Sequence, residues 1–262
     1  MDKQTENLIN LLTKNSLNHF DFLQKVAVLD EIKEIIDVGD LNSWRILGLP
    51  IYKNELGKVV LKTRDTDINE QIFCVTDIET TGGVKSGQII EIGALKIKNG
   101  EILDKFESFI YAVSVPENIT ELTGICVDDL KNAPNIAQVM EKFRLFLGEA
   151  VFVAHNVRFD YDFISKAMFE CGFGMLLNRK ICTIELARRT IISQKYGLDI
   201  LKELLGINNA HHRALNDAIS CAKILDECIS RLPWSVQTTE DLINFSKTAK
   251  TLKLPKTNQN EE

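Results

Sequence analysis

The chain has 262 residues, of which 45% are hydrophobic and 26% charged, a balance typical of a globular protein with a buried core. Its formal net charge of −6 argues against a protein that holds nucleic acid mainly by electrostatic attraction, because such proteins carry an excess of Lys and Arg. No apolar run reaches the roughly 18 residues of a membrane-spanning helix, and the acidic N-terminus does not resemble a signal peptide. We therefore expect a cytoplasmic protein.

The six cysteines contain no C-x-x-C pair and lie in apolar surroundings. This pattern favours free buried thiols in a reducing compartment over a zinc site or a disulfide framework.

Residues 1–70 are expected to form a separate small domain. Apolar spacing predicts helices near residues 8–12, 20–28 and 41–47, and two short β-type runs around residues 54–57 predict a hairpin. Helices followed by a hairpin resemble a winged helix. With 9 basic and 12 acidic residues, however, this region favours packing or partner docking over DNA reading.

Residues 71–232 are expected to form the main domain. A strand over residues 71–79 is followed by two alternating runs that meet at Asn99-Gly100, a dipeptide typical of hairpin turns. Three antiparallel strands are therefore predicted, and later strand patterns at residues 150–155 and 180–183 alternate with helices. This order predicts an α/β fold with a mixed sheet.

The first strand carries two carboxylates, Asp77 and Glu79, near its end. Side chains two positions apart point to the same face of a strand, so these like charges should repel each other and lose hydration. A lone D-x-E is usually a solvent-facing strand end. Here apolar residues precede it, and the permissive turn Thr80-Thr81-Gly82-Gly83 follows it, which favours a ligand site.

A second polar segment follows the strand at residues 150–155. His155 and Asn156 should lie in a loop, and Asp160 should enter the next helix. Taken alone, Asp160 is equally expected to complement the helix dipole.

The third polar segment contains His212 and Asp217. Five residues of helix separate side chains by about 140°, so both could serve one site only if His212 lies in the loop before the helix. Asp217 would then lie near the second turn, beside a stripe of alanines, where a carboxylate is costly unless it is paired. His212 alone could equally be a helix cap or a surface histidine.

Residues 233–262 predict a C-terminal helix near residues 240–250 and a polar, disordered tail. The segment that begins at Gln237 favours an amphipathic helix that packs back onto the domain.

Three motifs occur in a specific order: D-I-E-T-T-G, then H-N-x-x-F-D, then H-R-A-L-x-D. In order and internal spacing they resemble the DEDD exonucleases of the histidine subclass, and they are similar to the epsilon proofreading subunit of bacterial DNA polymerase III. The similarity covers residues 73–225 and includes I-I-E-I-G-A and L-T-G-I. The tyrosine subclass would need a tyrosine at position 213, where this chain has Arg213.

The resemblance implies a ribonuclease H-like sheet flanked by helices and a metal-dependent 3′→5′ exonuclease. It implies metal ligands at Asp77, Glu79, Asp160 and Asp217, with His212 as the general base. Four carboxylates in one place cannot all stay ionised without cations, and oxygen ligands favour two Mg²⁺ or Mn²⁺ ions over zinc. The implied product is a nucleoside 5′-monophosphate.

The same resemblance suggests how the substrate is held. Thr80, Thr81 and Gly82 match positions that place the terminal nucleotide, and Asn156 matches a position that holds the loop and the substrate. His155 could do the same, although a buried structural histidine is about as probable for that position.

Two positions depart from the family pattern. Thr123 stands where some epsilon subunits carry a histidine, and Asn118 replaces a glutamate five residues earlier. These departures concern the placement of the last base rather than the chemistry.

The implied partners are single-stranded or frayed DNA 3′ ends, with the DNA polymerase III alpha subunit and the sliding clamp as further candidates. An RNA exonuclease of the same fold is the main alternative, because DNA and RNA present the same terminal phosphodiester. A non-catalytic interaction module is the second alternative. It is disfavoured because all four acids and the histidine are present.

Overall fold

The N-terminal part of the chain forms four helices and a small antiparallel sheet in a computed structural model that describes residues 3–208 and 212–254. The sheet order is β1-β3-β2, and the elements follow one another as in a winged helix. Their bounds are α1 (Lys3–Leu12), β1 (Leu17–Asn18), α2 (His19–Val26), α3 (Asp30–Lys33), α4 (Leu41–Ile46), β2 (Ile51–Lys53) and β3 (Lys58–Leu61). The predicted helices and hairpin are present. The sequence did not reveal β1 and α3, because two and four residues are too short to show a period.

The N-terminal part packs around a hydrophobic core that is separate from the two cores on the faces of the main sheet. The fully buried rings of Phe22 and Trp44 meet edge-on with centroids 6.0 Å apart. Met175 and Leu177, which come from much later in the chain, complete the same core. The N-terminal helices are therefore packed against the rest of the molecule.

The main sheet has five strands in the order β6-β5-β4-β7-β8. β4, β5 and β6 form the predicted antiparallel meander, whereas β7 and β8 run parallel to β4. Their bounds are β4 (Phe73–Thr80), β5 (Ile89–Lys98), β6 (Glu101–Phe109), β7 (Val151–Ala154) and β8 (Lys180–Cys182).

Helices cover both faces of this sheet. Their bounds are α5 (Glu117–Thr123), α6 (Val127–Leu130), α7 (Ile136–Leu147), α8 (Val157–Glu170), α9 (Thr183–Thr190), α10 (Leu198–Leu204) and α11 (Ala214–Ser230). Alternate residues of β4 enter different cores, since Val75 packs with α11 and Cys74 packs with α7 and α8. The predicted α/β fold, a mixed sheet flanked by helices with a small winged-helix-like N-terminal part, is confirmed.

Helix α12 (Thr239–Thr248) lies between the N-terminal part and the sheet. Glu240 accepts hydrogen bonds from the Thr63 hydroxyl, at 2.8 Å, and from the Arg179 guanidinium. The Ile68 N–H donates to the Gln237 carbonyl at 3.1 Å. The helix thus packs back onto the molecule, as expected, whereas the predicted polar tail at residues 256–262 lies outside the described residues.

None of the helices in the described parts of the chain combines the length and the apolar character that a membrane span requires. All six cysteines are free thiols; Cys74, Cys221 and Cys228 are buried as expected, whereas Cys126, Cys171 and Cys182 are only partly buried.

Candidate active site

Asp77 and Glu79 occupy the C-terminal half of β4, on the face that α11 covers. In the antiparallel register Asp77 lies opposite Gly93, and Glu79 lies opposite Glu91 on β5. The register shifts directly after Glu79, between it and Thr80. The strand therefore delivers both carboxylates to one side of the sheet and ends immediately beyond them.

The turn after these carboxylates is held by its own hydrogen bonds. The Thr80 hydroxyl donates to the Gly82 carbonyl at 2.8 Å, and the Thr81 N–H donates to the Gln88 carbonyl at 3.0 Å. The Gln88 N–H in turn donates to the Thr81 hydroxyl at 3.0 Å. Thr80, Thr81 and Gly82 thus form a hydrogen-bonded turn directly after the carboxylates, as the sequence predicted.

Gly93 allows α11 to approach the sheet closely. A β-carbon at this position would lie 2.1 Å from the Leu215 backbone nitrogen, a separation that real atoms do not adopt. The first turn of α11 therefore rests directly on β5, beside Asp77. Asp217 belongs to this first turn of α11, whereas the sequence placed it near the second turn.

Three of the predicted acids converge. Asp77, Glu79 and Asp217 each place a carboxylate oxygen within 4.8 Å of the other two. Asp160, in the first turn of α8, lies outside this closest trio. It is nevertheless buried, accepts a hydrogen bond from the Ile78 backbone, and adds its negative charge to the surroundings of Asp77.

The surroundings disfavour ionised carboxyl groups. Loss of hydration, followed by repulsion from Asp160 and Asp217, raises the pKa of Asp77 well above its usual value. Loss of hydration also raises the pKa of Asp160, and it raises the pKa of Glu79 to about 7. A buried cluster of mutually repelling carboxylate oxygens fits divalent cations such as Mg²⁺ or Mn²⁺, which prefer hard oxygen ligands.

His212 lies before α11, as expected for a residue that shares a site with Asp217. Its φ of 56° is left-handed, and its N–H donates to Asp217 Oδ2 at 3.1 Å. The backbone of His212 and the carboxylate of Asp217 are therefore fixed relative to each other.

Glu91 anchors the start of α11, a role that the sequence analysis did not assign. One carboxylate oxygen accepts from Arg213 Nε at 2.9 Å and Nη2 at 2.7 Å, and the other accepts from the Ala214 N–H at 3.0 Å. Glu91 is only 1% exposed. The signal that could have revealed it is a lone charge within the apolar run of β5.

His155 and Asn156 occupy the loop between β7 and α8. His155 Nδ1 lies 2.9 Å from the Thr183 hydroxyl, and burial lowers the pKa of this imidazole to about 4. This environment fits the structural alternative for His155. Asn156 is exposed and has a left-handed φ of 71° directly before α8.

Thr123, one of the two departures from the family pattern, ends α5. Its hydroxyl donates to the Ile119 carbonyl at 2.8 Å and accepts from the Ile125 N–H at 3.1 Å. The hydroxyl of Thr123 is therefore engaged with neighbouring backbone groups.

Comparison with known proteins places this site in a family. Residues 74–225 match the RNase_T family model, which is described as Exonuclease. The DNA polymerase III PolC-type protein of Staphylococcus haemolyticus is 40% identical over 179 residues, which are 66% of this chain and 12% of that protein. The corresponding protein of Clostridium perfringens is 39% identical over 184 residues, 69% of this chain and 13% of that protein. The chain thus spans only 12–13% of the length of these relatives.

Solved structures show the same fold. Exonuclease X in complex with 5′ overhanging duplex DNA superposes with a TM-score of 0.55 at 23% identity, covering 66% of this chain and 99% of that one. Exonuclease I of Escherichia coli in complex with a dT13 oligonucleotide gives a TM-score of 0.55 at 15% identity, covering 62% of this chain and 41% of that one. The chain therefore belongs to the RNase_T exonuclease family, with DNA polymerase III PolC-type proteins among its relatives.

Proposed function

We propose that the chain is a divalent-metal-dependent 3′→5′ exonuclease that removes nucleotides from DNA 3′ ends. The observation that carries the proposal is that carboxylate oxygens of Asp77, Glu79 and Asp217 lie within 4.8 Å of one another near the C-terminal end of β4. A separation this short between three ionised carboxylates is unfavourable unless cations bind there. The family membership is consistent with this chemistry.

Asp77, Glu79, Asp160 and Asp217 would hold two Mg²⁺ or Mn²⁺ ions. Such ions, when bound, neutralise the carboxylates and the phosphate and lower the pKa of the attacking water. Asp160 would join the trio from α8, where its carboxylate accepts a hydrogen bond from the Ile78 backbone.

The remaining site residues would act on the water and the substrate. His212 would accept a proton from the attacking water as a general base. The water oxygen then bonds to phosphorus while the bond from phosphorus to the 3′ oxygen of the preceding nucleotide breaks. The released nucleotide keeps its 5′-phosphate.

Thr80, Thr81 and Gly82 would contact the terminal nucleotide, because their hydrogen-bonded turn lies directly beyond the acids. Asn156 and His155 would hold the substrate from the loop before α8. His155 would act mainly through its contact with Thr183, which orients this loop.

DNA is favoured over RNA as the substrate because the relatives are DNA polymerases and several similar structures contain DNA oligonucleotides. The polymerase relatives also suggest proofreading or repair alongside DNA polymerase III, including contact with its alpha subunit. A clamp contact through the Gln237 segment is less favoured, since the Gln237 backbone already binds Ile68.

The proposal assigns catalysis to one part of the chain and packing to the others. Residues 71–232 would perform catalysis, while the N-terminal part and helix α12 would pack against them and support them. The non-catalytic alternative has no lost acid or lost histidine in its favour.

Incubation with end-labelled DNA tests the reaction, its polarity and the metal requirement together. Single-stranded DNA and RNA oligomers of the same sequence, labelled at either end, are incubated with Mg²⁺, with Mn²⁺ or with EDTA. We expect stepwise shortening of DNA from its 3′ end that EDTA abolishes. An Asp77→Asn variant prepared in parallel controls for contaminating nuclease, and activity that survives in it would contradict the assignment.

A further inference from the structure

A buried lysine lies beside the acid cluster. Lys202, on α10, has a side chain only 3% exposed, and its Nζ lies 4.0 Å from Asp217 Oδ1. Lysine is rarely buried unless it is paired, because the ammonium group loses its hydration. This position is therefore costly, and the neighbouring carboxylates offset that cost.

Asp217 is held from two sides. Oδ1 faces the Lys202 ammonium, and Oδ2 accepts the His212 N–H at 3.1 Å. The His212 hydrogen bond fixes the orientation of Oδ2, whereas the 4.0 Å contact between Oδ1 and Lys202 Nζ is longer than a hydrogen bond and acts through charge. Lys202 therefore stabilises the negative charge of Asp217 electrostatically.

Arg213, a second cationic residue near the cluster, pairs with other carboxylates. Arg213 makes hydrogen bonds to Glu91 at 2.7 and 2.9 Å and a longer ion pair with Glu107, and its side chain is 42% exposed. It thus neutralises Glu91 at the rim. Lys202, in contrast, is a buried ammonium that faces one of the metal-ligand candidates, Asp217.

We propose that Lys202 is a positioning residue that serves as the resident counter-ion of the acid cluster. It stabilises the negative charge of the Asp217 carboxylate when divalent cations are absent, and its positive charge weakens cation binding at that carboxylate. The inference rests on the proposed function to the extent that the cluster must bind cations. It goes further by assigning to α10 control of cation affinity.

The physical basis is competition between positive charges. A cation bound to Asp217 would lie close to the Lys202 ammonium in a poorly hydrated site, where like charges repel strongly. Removal of the ammonium therefore has opposite effects on the two states. The metal-free protein loses attraction to Asp217, whereas the metal-bound protein loses repulsion.

The test replaces Lys202 by methionine, which keeps the length of the side chain without its charge. Lys223→Met is the matched control, because Lys223 is exposed on α11. The melting temperature is measured in EDTA and in saturating Mn²⁺, and the Mn²⁺ dissociation constant is measured by electron paramagnetic resonance. For Lys202→Met we expect a lower melting temperature in EDTA, a larger gain on adding Mn²⁺, and Mn²⁺ binding tighter on the order of tenfold.

Lys202→Arg keeps the positive charge and should bind Mn²⁺ with nearly the wild-type dissociation constant. If Lys202→Met lowers the melting temperature equally with and without Mn²⁺, or weakens Mn²⁺ binding, Lys202 is merely structural and the proposal is wrong. Should Lys202→Met fail to fold, Lys202→Gln makes the same comparison. Failure of the wild-type protein to bind Mn²⁺ at all would instead contradict the proposed function.

Discussion

Asp77 and Gly93 lie directly opposite each other in the antiparallel register of β4 and β5. The absence of a side chain on Gly93 lets the first turn of α11 rest on the sheet at this point, so that Asp217 reaches Asp77. The acid cluster therefore depends on a residue that carries no functional group. Close packing of backbone against backbone converts three distant stretches of sequence into one site.

Gly93→Ala should separate α11 from the sheet. The new β-carbon would lie 2.1 Å from the Leu215 nitrogen, which is backbone and cannot rotate away. We expect a loss of roughly 1–3 kcal/mol in the free energy of unfolding, as for overpacked cores, and a large loss of nuclease activity. Denaturant unfolding and oligonucleotide digestion measure the two effects. Gly197→Ala is the control, because a β-carbon there meets no atom within 4 Å.

Glu91→Gln should misplace the start of α11. An amide cannot balance the Arg213 charge or accept at both positions that the carboxylate serves. We expect a loss of about 1.5–3 kcal/mol in unfolding free energy and reduced activity at saturating metal. The matched control is Glu107→Gln, which removes the longer, exposed ion pair to the same arginine and should change little. Equal effects of the two substitutions would contradict the anchoring role.

Much of this fold could be predicted from the sequence because its elements are long and regular. The meander of β4 to β6 follows from alternation around Asn99-Gly100, and the acids of β4 were visible as charges in an apolar strand. The burial of Lys202 could not be predicted, since a single lysine in a helix normally faces solvent. Its position depends on how α10 packs against α11, which no local pattern encodes.

The role of Glu91 was hidden for a related reason. Its partners, Arg213 and Ala214, are more than 120 residues away in sequence, as the separations of 122 and 123 residues show. Without the fold, a lone glutamate in β5 has no identifiable partner. Long-range pairings of this kind require the three-dimensional structure.

The metal-free protein should lose stability as the pH rises from about 4.5 to about 7. In that range folded Glu79, whose pKa is raised from 4.5 to about 7, still holds a proton that the unfolded chain releases, so each step up in pH favours unfolding. Asp77 and Asp160 add to the same trend, because their pKa values are also raised. Thermal unfolding in EDTA across this range measures the effect.

Glu79→Gln measures how much Glu79 contributes to this loss of stability with rising pH. The variant should match the wild type near pH 4.5 and exceed it at pH 8 by roughly 1–3 kcal/mol in EDTA, a range reduced for the partial exposure of this carboxyl. Saturating Mg²⁺ should stabilise the wild type more than the variant at pH 8, because only the wild type keeps the full set of acids. A wild type that remains the more stable protein in EDTA at pH 8 would show that Glu79 is not under electrostatic strain.

His212→Asn should separate proton transfer from metal binding. Asparagine tolerates the left-handed φ of 56° and keeps the backbone N–H that binds Asp217, whereas it cannot accept a proton at neutral pH. We expect turnover to fall by ~10²–10⁴ with the Mn²⁺ dissociation constant nearly unchanged, the usual size of a general-base effect. Turnover at saturating Mn²⁺ and Mn²⁺ binding are measured on the same preparation. A large loss of Mn²⁺ binding would make His212 a metal ligand instead, and unchanged turnover would leave the reaction without its proposed base.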